Sequence, residues 1–258
     1  ASEFERMIQI KDTTGILMNP PKLIFQHLPK CGGSTLTAVL LSNLPRQNVF
    51  LCGSDGVLQD FISLPLALRN GYDLLIGHVD FGIHNQFSDL AAYFTFVRDP
   101  LERVLSHYSF IKNIPSHRYH VIANRLSLEE FFRSGIRPRM NNCMCRMLSG
   151  RNFEYGVNPP QALDAALEHV DRHYLFVGLT EQFDMSLQKL AEILRLPHRS
   201  STPRNQSRNR LHFYELSARA QELIYQLNLL DIALYRSLAQ RFHNLTQAQT
   251  PLGSTTPG

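Results

Sequence analysis

Between Lys22 and Ser42 the chain reads KLIFQHLPKCGGSTLTAVLLS. A short apolar run, Leu23-Ile24-Phe25, leads into Pro29-Lys30-Cys31-Gly32-Gly33-Ser34-Thr35, and Leu36, Val39 and Leu40 then recur at helical spacing. This is a strand, a glycine loop and a helix, and the junction constrains the rest of the chain. Gly32 and Gly33 permit backbone conformations that a Cβ forbids and let N–H groups come close to a ligand. The new helix aims its unpaired N–H groups and positive dipole end at the same point. With hydroxyls at Ser34 and Thr35 and a mobile cation at Lys30, the loop predicts a site for phosphate or sulfate. The order is not that of a Walker A loop, GxxxxGK[ST], because Lys30 precedes the glycines. An ordinary P-loop ATPase or kinase is therefore disfavoured.

A second group of residues follows two further predicted strands. Tyr72–Val79 is an apolar run of the kind that forms a buried parallel strand, and it ends in Gly77-His78. Ligands of open α/β sheets sit beyond the carboxyl ends of the strands, so His78 is placed to face the same crevice as the glycine loop. A lone histidine there also fits a purely structural role, and His84 is the alternative candidate. Tyr93–Val97 predicts the next strand. After it, Asp99 is suited to cap a helix that Pro100 begins. Leu101, Val104, Leu105 and Tyr108 form the apolar stripe of that helix, and Arg98 and Ser106 lie off the stripe. By themselves Arg98 and Asp99 fit a cap with an ion pair. A planar guanidinium also suits bidentate phosphate binding.

Taken together, PKCGGST, the Gly77-His78-Val79 segment and VRDPLERVLS resemble the sulfotransferases that use PAPS (3′-phosphoadenosine-5′-phosphosulfate). They most resemble the branch of the heparan sulfate 2-O-sulfotransferases and their bacterial relatives. The resemblance runs from about Leu23 to Phe242. It implies an α/β fold, a mainly parallel central sheet flanked by helices, in the P-loop-like arrangement of PAPS enzymes. It further implies that Lys30, Cys31, Gly32, Gly33, Ser34 and Thr35 hold the 5′-phosphosulfate, Arg98 and Ser106 grip the 3′-phosphate, and His78 is the catalytic base. Cys31 stands where that branch usually has Thr. A basic loop closes the nucleotide pocket of such enzymes, and Pro203–Arg210 occupies that place, with Ser207 and Arg208 as the expected contacts. A solvated surface is the other reading of that run. The expected reaction is transfer of a sulfuryl group to a hydroxyl acceptor, leaving PAP, with His78 as general base and Lys30 stabilising the leaving group. No metal is expected to take part. Two readings from other classes remain beside it: a nucleotide-dependent kinase on a similar scaffold, and a catalytically silent module that binds PAP or glycan.

The remainder of the chain is read as scaffold and acceptor surface. At 258 residues with a net charge of +4, it is long enough for one α/β domain with a full core. Residues 1–21 are expected to form an arm, 22–245 the domain and 246–258 a disordered tail; the first residues resemble an expression scar. Ile111–Arg125 predicts a polar segment that fits an acceptor-binding loop or a merely solvated surface equally. Ser127 is expected to cap a short helix, and Asn141–Leu148 to form another helix stopped by Gly150. Thr180 is expected to cap the helix after the strand Tyr174–Leu179. Glu215–Phe242 predicts a long helical region bent near Leu229-Leu230-Asp231. Arg118, Arg125, Arg137, Arg139 and Arg151 fit an acidic saccharide or a solvated face equally, and nucleic acid is not an expected partner. Cys31, Cys52, Cys143 and Cys145 form no disulfide framework, which points to a reducing cytoplasm. No run reaches the about 18 apolar residues of a membrane span, although an anchor upstream of residue 1 would leave no trace in this sequence.

Overall fold

The computed structural model describes residues 21–53, 57–196 and 211–247. Its centre is a five-stranded sheet of β1 (Lys22–Gln26), β2 (Val49–Cys52), β3 (Leu74–Gly77), β4 (Ala91–Val97) and β5 (Tyr174–Leu179). The order is β2-β3-β1-β4-β5 and every pairing is parallel. A parallel sheet needs both faces covered, so its strands read as unbroken apolar runs. All seven residues of β4 and all four of β3 are buried accordingly. These are the runs that made both strands legible from the sequence.

This order places β1 at the centre. The connection from β1, through α1 (Gly33–Asn43), leads to one side of it. The connection from β4, through α4 (Pro100–Asn113), leads toward β5 on the other. The carboxyl ends of β1 and β4 therefore border a topological switch point, where a crevice opens between diverging connections. The loop after β1 and the Arg98-Asp99 turn after β4 face each other there.

Gln26, fully buried at the end of β1, ties this region together. Its amide nitrogen donates to the carbonyls of Val79 (3.0 Å) and Met147 (2.9 Å), and its Oε1 accepts from the Tyr174 hydroxyl. Thr95 Oγ1 on β4 donates to the Gln26 carbonyl at 2.7 Å. A buried amide left unpaired costs about 1–3 kcal/mol, so these bonds fix the segment after His78 against β1.

Helices cover the sheet. α2 (Val57–Ser63) and α3 (Leu66–Arg69) are separated at Pro65. α5 (His120–Arg125), α6 (Leu128–Arg133), α7 (Cys143–Ser149) and α8 (Pro160–His173) lie between β4 and β5, and α9 (Phe183–Leu194), α10 (Ala218–Gln226) and α11 (Leu229–Gln247) follow. A second apolar cluster, including Val104, Leu105, Tyr108, Phe131, Phe132 and Ile224, joins α4, α6 and α10 beside the sheet. The expected polar loop at 111–125 is largely helical: α4 runs on to Asn113, and α5 packs through fully buried Ala123.

The starts of α7 and α11 cap one another. Buried Asp231 accepts from the amides of Met144 (3.1 Å) and Cys145 (2.7 Å), while Asn142 Oδ1 accepts from those of Leu230 (3.0 Å) and Asp231 (3.1 Å). Asn142 adopts a left-handed conformation, φ 46°, to do so. Buried Arg103 on α4 faces the same carboxylate at 3.9 Å.

The Ser127 cap is present as a full capping box with Glu130, and Gly150 ends α7 at φ 63°. The helical region near residue 229 is interrupted between Gln226 and Leu229. Thr180 does not cap α9; it begins a short 3-10 turn and donates its hydroxyl to the Val97 carbonyl at 2.9 Å. All four cysteines are free and buried. Among the described residues no helix is long and apolar enough to cross a membrane.

Candidate active site

The loop after β1 reverses through two left-handed residues, Lys30 at φ 68° and Gly32 at φ 76°. For lysine this conformation costs roughly 1–2 kcal/mol, and strain of this kind concentrates at functional loops. Helix α1 then begins without any side-chain cap. Among the described residues, the amides of Gly32, Gly33 and Ser34 meet no backbone acceptor; the first backbone bond of the helix is Thr35 N to Gly32 O, 3.1 Å. Three donors thus converge at the positive end of a helix, the arrangement that holds an oxyanion. Ser34 is exposed at this mouth and Thr35 lies just beneath it.

Cys31, by contrast, is turned inward. Its amide donates to the Leu28 carbonyl at 3.3 Å, its Sγ lies 3.8 Å from the Pro29 carbonyl, and burial pushes its thiol pKa well up. It shapes the loop from behind rather than presenting a donor to its mouth.

Lys30 extends over the ring of Phe110 on α4, with Nζ 4.3 Å from the ring centre. Burial, and then the Arg98 charge beside it, lower the ammonium pKa. Arg98 leaves the end of β4 and donates from a guanidinium nitrogen to the Lys30 carbonyl at 3.1 Å, while Glu102 lies 3.8 Å away, one turn on. The two sequence segments are therefore joined directly across the switch point. Asp99 caps α4 by accepting from the amides of Leu101 (3.0 Å) and Glu102 (2.9 Å), and its own amide donates to Glu181 at 2.8 Å. Ser106 sits one turn after Glu102 and one turn before Phe110, on the helix face toward the loop.

His78 stands at the end of β3, half-buried. Its Nδ1 lies 2.5 Å from the His27 carbonyl oxygen. A carbonyl only accepts, so Nδ1 carries the proton and the lone pair is on Nε2, the tautomer a base requires. Gly77 beside it is obligatory, because a Cβ there would come within 2.3 Å of the Cys52 Cβ.

No motif in the sequence marks His27, yet its ring centre is 4.3 Å from that of His78 and 5.5 Å from that of Phe25. It also lies against Gly33. The nearest sequence signal was its place between β1 and the loop. His84, the alternative base, is elsewhere. It bonds the Tyr93 hydroxyl at 2.9 Å and packs among Phe81 and His173, part-way down the sheet, where Tyr93 pairs with Ile24. Burial, then His173 and His169, push its pKa down to about 4.

Outward from Lys30 the rings and cations continue. Phe110 meets His117 (5.8 Å), His117 meets Tyr119 (5.7 Å), and Arg118 and Arg137 lie 4.7 and 5.8 Å from the Tyr119 ring centre. Arg139 instead offers its carbonyl to Arg103, and Arg151 is exposed beyond α7. Ser207 and Arg208 lie outside the described residues. Among the described residues no three His, Cys, Asp or Glu side chains are grouped to hold a metal ion.

Three comparisons with known proteins give matches. The chain is 25% identical over 186 residues to heparan sulfate 2-O-sulfotransferase hst-2 of Caenorhabditis elegans, which spans 62% of this chain and 56% of the worm protein. It thus covers little more than half the length of that relative. Its fold aligns with the crystal structure of mouse sulfotransferase SULT7A1 complexed with PAP, at a TM-score of 0.38 and 14% identity, over 77% of this chain and 65% of that one. A family described as the sulfotransferase family matches residues 16–236, nearly the whole described domain and both halves of the crevice. The chain belongs to the sulfotransferase family.

Proposed function

We propose that the protein transfers the sulfuryl group of PAPS to a hydroxyl of an acidic saccharide, releasing PAP. The observation that carries this reading is the bond from Arg98 to the Lys30 carbonyl. It brings Arg98 against the loop that precedes an uncapped helix start; with Ser106 on the following helix as the second proposed contact, this supports one anion-binding surface with two ends. A nucleotide bearing phosphate at both the 5′ and the 3′ position matches such a surface. The donor supplies an activated sulfuryl group when bound; the chain's own residues do the rest. The amides of Gly32, Gly33 and Ser34, with Ser34 and Thr35 hydroxyls, hold the 5′ end. Lys30 meets charge that grows on the leaving oxygen, and in a site that excludes water such fixed groups contribute most of the rate. His78, held by the His27 carbonyl in the tautomer with Nε2 unprotonated, takes the acceptor's proton.

The acceptor class follows from the track beyond Lys30. Phe110, His117 and Tyr119 offer ring faces and edges, and Arg118 and Arg137 offer charge. Sugar rings present C–H faces suited to aromatic surfaces, and arginines select the carboxylates or sulfates of an acidic glycan. The relative named above as acting on heparan sulfate supports the same class.

The test is calorimetric titration of the protein with PAP, beside AMP and ATP with magnesium, followed by turnover of labelled PAPS with acidic glycans. PAP binding much tighter than AMP, with label transferred to glycan, is the expected result. ATP with magnesium binding in place of PAP would refute the reading in favour of a kinase. PAP binding with no transfer to any acidic glycan would favour a silent binding module.

A further inference from the structure

His27 is half-buried where the loop begins, between His78 and Gly33. Its amide donates to the Gly77 carbonyl at 2.8 Å, completing the β1–β3 ladder, and its carbonyl accepts from His78. Its side chain makes no comparable bond: among the described residues neither ring nitrogen has a hydrogen-bond partner. The ring instead stacks on Phe25 at 9° and leans toward His78 at 38°.

Its position relative to the helix start is specific. A Cβ built on Gly33 would lie 1.9 Å from His27 Cδ2 and 2.0 Å from Nε2. The imidazole therefore fills the space that a side chain of the first helical residue would occupy, beside the open amides of Gly33 and Ser34. Burial, then the neighbouring His78 and Lys30, push its pKa down to about 3. At neutral pH it is an uncharged ring with one N–H to donate. A charged ring there would oppose proton uptake by His78, 4.3 Å away; a neutral one does not.

Resting on the sulfotransferase reading, we infer that His27 is a second catalytic histidine, whose imidazole N–H donates a hydrogen bond to a non-bridging oxygen of the sulfuryl group in flight. The bond from sulfur to the acceptor oxygen forms as the bond from sulfur to the 5′-phosphate oxygen breaks. The electron pair of the broken bond stays on that phosphate oxygen, near Lys30, and the acceptor's proton passes to His78 Nε2. No oxidation state changes. His27 neither gains nor loses a proton; it adds one donor to the three backbone amides at the point where sulfuryl charge shifts.

PAP lacks the sulfuryl group, and this separates the role of His27 from a general structural one. His27→Phe keeps a ring against Gly33 and removes the donor; His27→Gln keeps an N–H near the Nε2 position. The full chain of each variant is compared with wild type for PAP affinity by calorimetry, for kcat with PAPS and an acidic glycan, and for thermal unfolding. Loss of one donor of this kind costs about 100-fold in kcat. His27→Phe is expected to lose about that much, and His27→Gln about tenfold or less, with PAP affinity within about threefold of wild type in both. The acid limb of the kcat–pH profile, set by His78, is expected to stay in place. A kcat for His27→Phe within about threefold of wild type overturns the assignment. So does a parallel fall of PAP affinity, unfolding temperature and kcat in both variants, or an acid limb moved by more than about half a pH unit, which would make His27 act through His78. Failure of the sulfotransferase reading itself appears instead in the wild type, as absence of PAP binding.

Discussion

Gly33→Ala perturbs the point where the glycine loop and the two histidines meet. The added methyl would stand 1.9 Å from His27 Cδ2 and 2.0 Å from Nε2, whereas unstrained contacts between carbon atoms lie at about 3.5–4.0 Å. The imidazole must retreat by roughly 1.5 Å to restore such a contact. It cannot do so freely, since Phe25 stacks beneath it and the His78 ring is 4.3 Å away. Overpacking of this kind costs about 1–3 kcal/mol, set against up to about 1 kcal/mol gained from alanine's better helix propensity. The net loss expected is about 1–2 kcal/mol, or about 2–8 °C in Tm for a domain of this size. Urea unfolding gives the stability directly. His27→Ala removes the obstruction, so the double variant His27→Ala/Gly33→Ala is expected to recover at least about 1 kcal/mol relative to additivity. Gly33→Ala unfolding within about 0.5 kcal/mol of wild type, or a strictly additive double variant, would refute the contact.

Three further outcomes follow from the same geometry. His78→Ala is expected to lower kcat by about 10²–10⁴-fold while PAP affinity measured by calorimetry is unchanged; near-normal turnover removes His78 as base. Asp231→Ala strips the caps from Met144 and Cys145 and leaves buried Arg103 without its counter-charge, a change that costs about 3–5 kcal/mol in urea unfolding, with Asp231→Asn closer to wild type. The histidines set the pH response: His27 and His84 are pushed down to about 3 and about 4, below the unfolded value of about 6.5. The unfolded chain therefore binds protons that the folded chain refuses, and stability held above about pH 6.5 is lost as pH falls toward 4. Thermal unfolding at pH 8, 6 and 5 is expected to show this decline, and His84→Phe to flatten it; a Tm independent of pH over that range would contradict it.

The features legible in the sequence are those carried by neighbours along the chain. β3 and β4 announce themselves because a buried parallel strand is apolar on both faces, and Asp99-Pro100 and Ser127 announce helix starts because caps act within four residues. The strand–loop–helix junction is likewise local: an apolar run, two glycines and a helical period follow one another directly. The parts that escaped depend on contacts between distant residues. Nothing near His27 indicates that its ring would take up space beside Gly33, because β1–β3 pairing and the β1–α1 turn together bring them into contact. The inward turn of Cys31 follows from the left-handed backbone on either side of it, not from its own side chain. Thr180 looked like a cap from its position before α9, but the Val97 carbonyl on the adjacent strand competes successfully for its hydroxyl. The helix His120–Arg125 escapes because three polar residues, His120, Asn124 and Arg125, mask a single buried face centred on Ala123.

The paired capping of α7 and α11 makes four amides, those of Met144, Cys145, Leu230 and Asp231, depend on one docking event, although Cys145 and Asp231 are 86 positions apart. Hydrogen exchange should therefore find them opening together with a common free energy, as one cooperative unit. Because Asn142 and Asp231 each need the other helix in place, neither start can fray alone. The same four amides should thus act as a reporter of whether the C-terminal helix is seated, independent of anything bound at the loop.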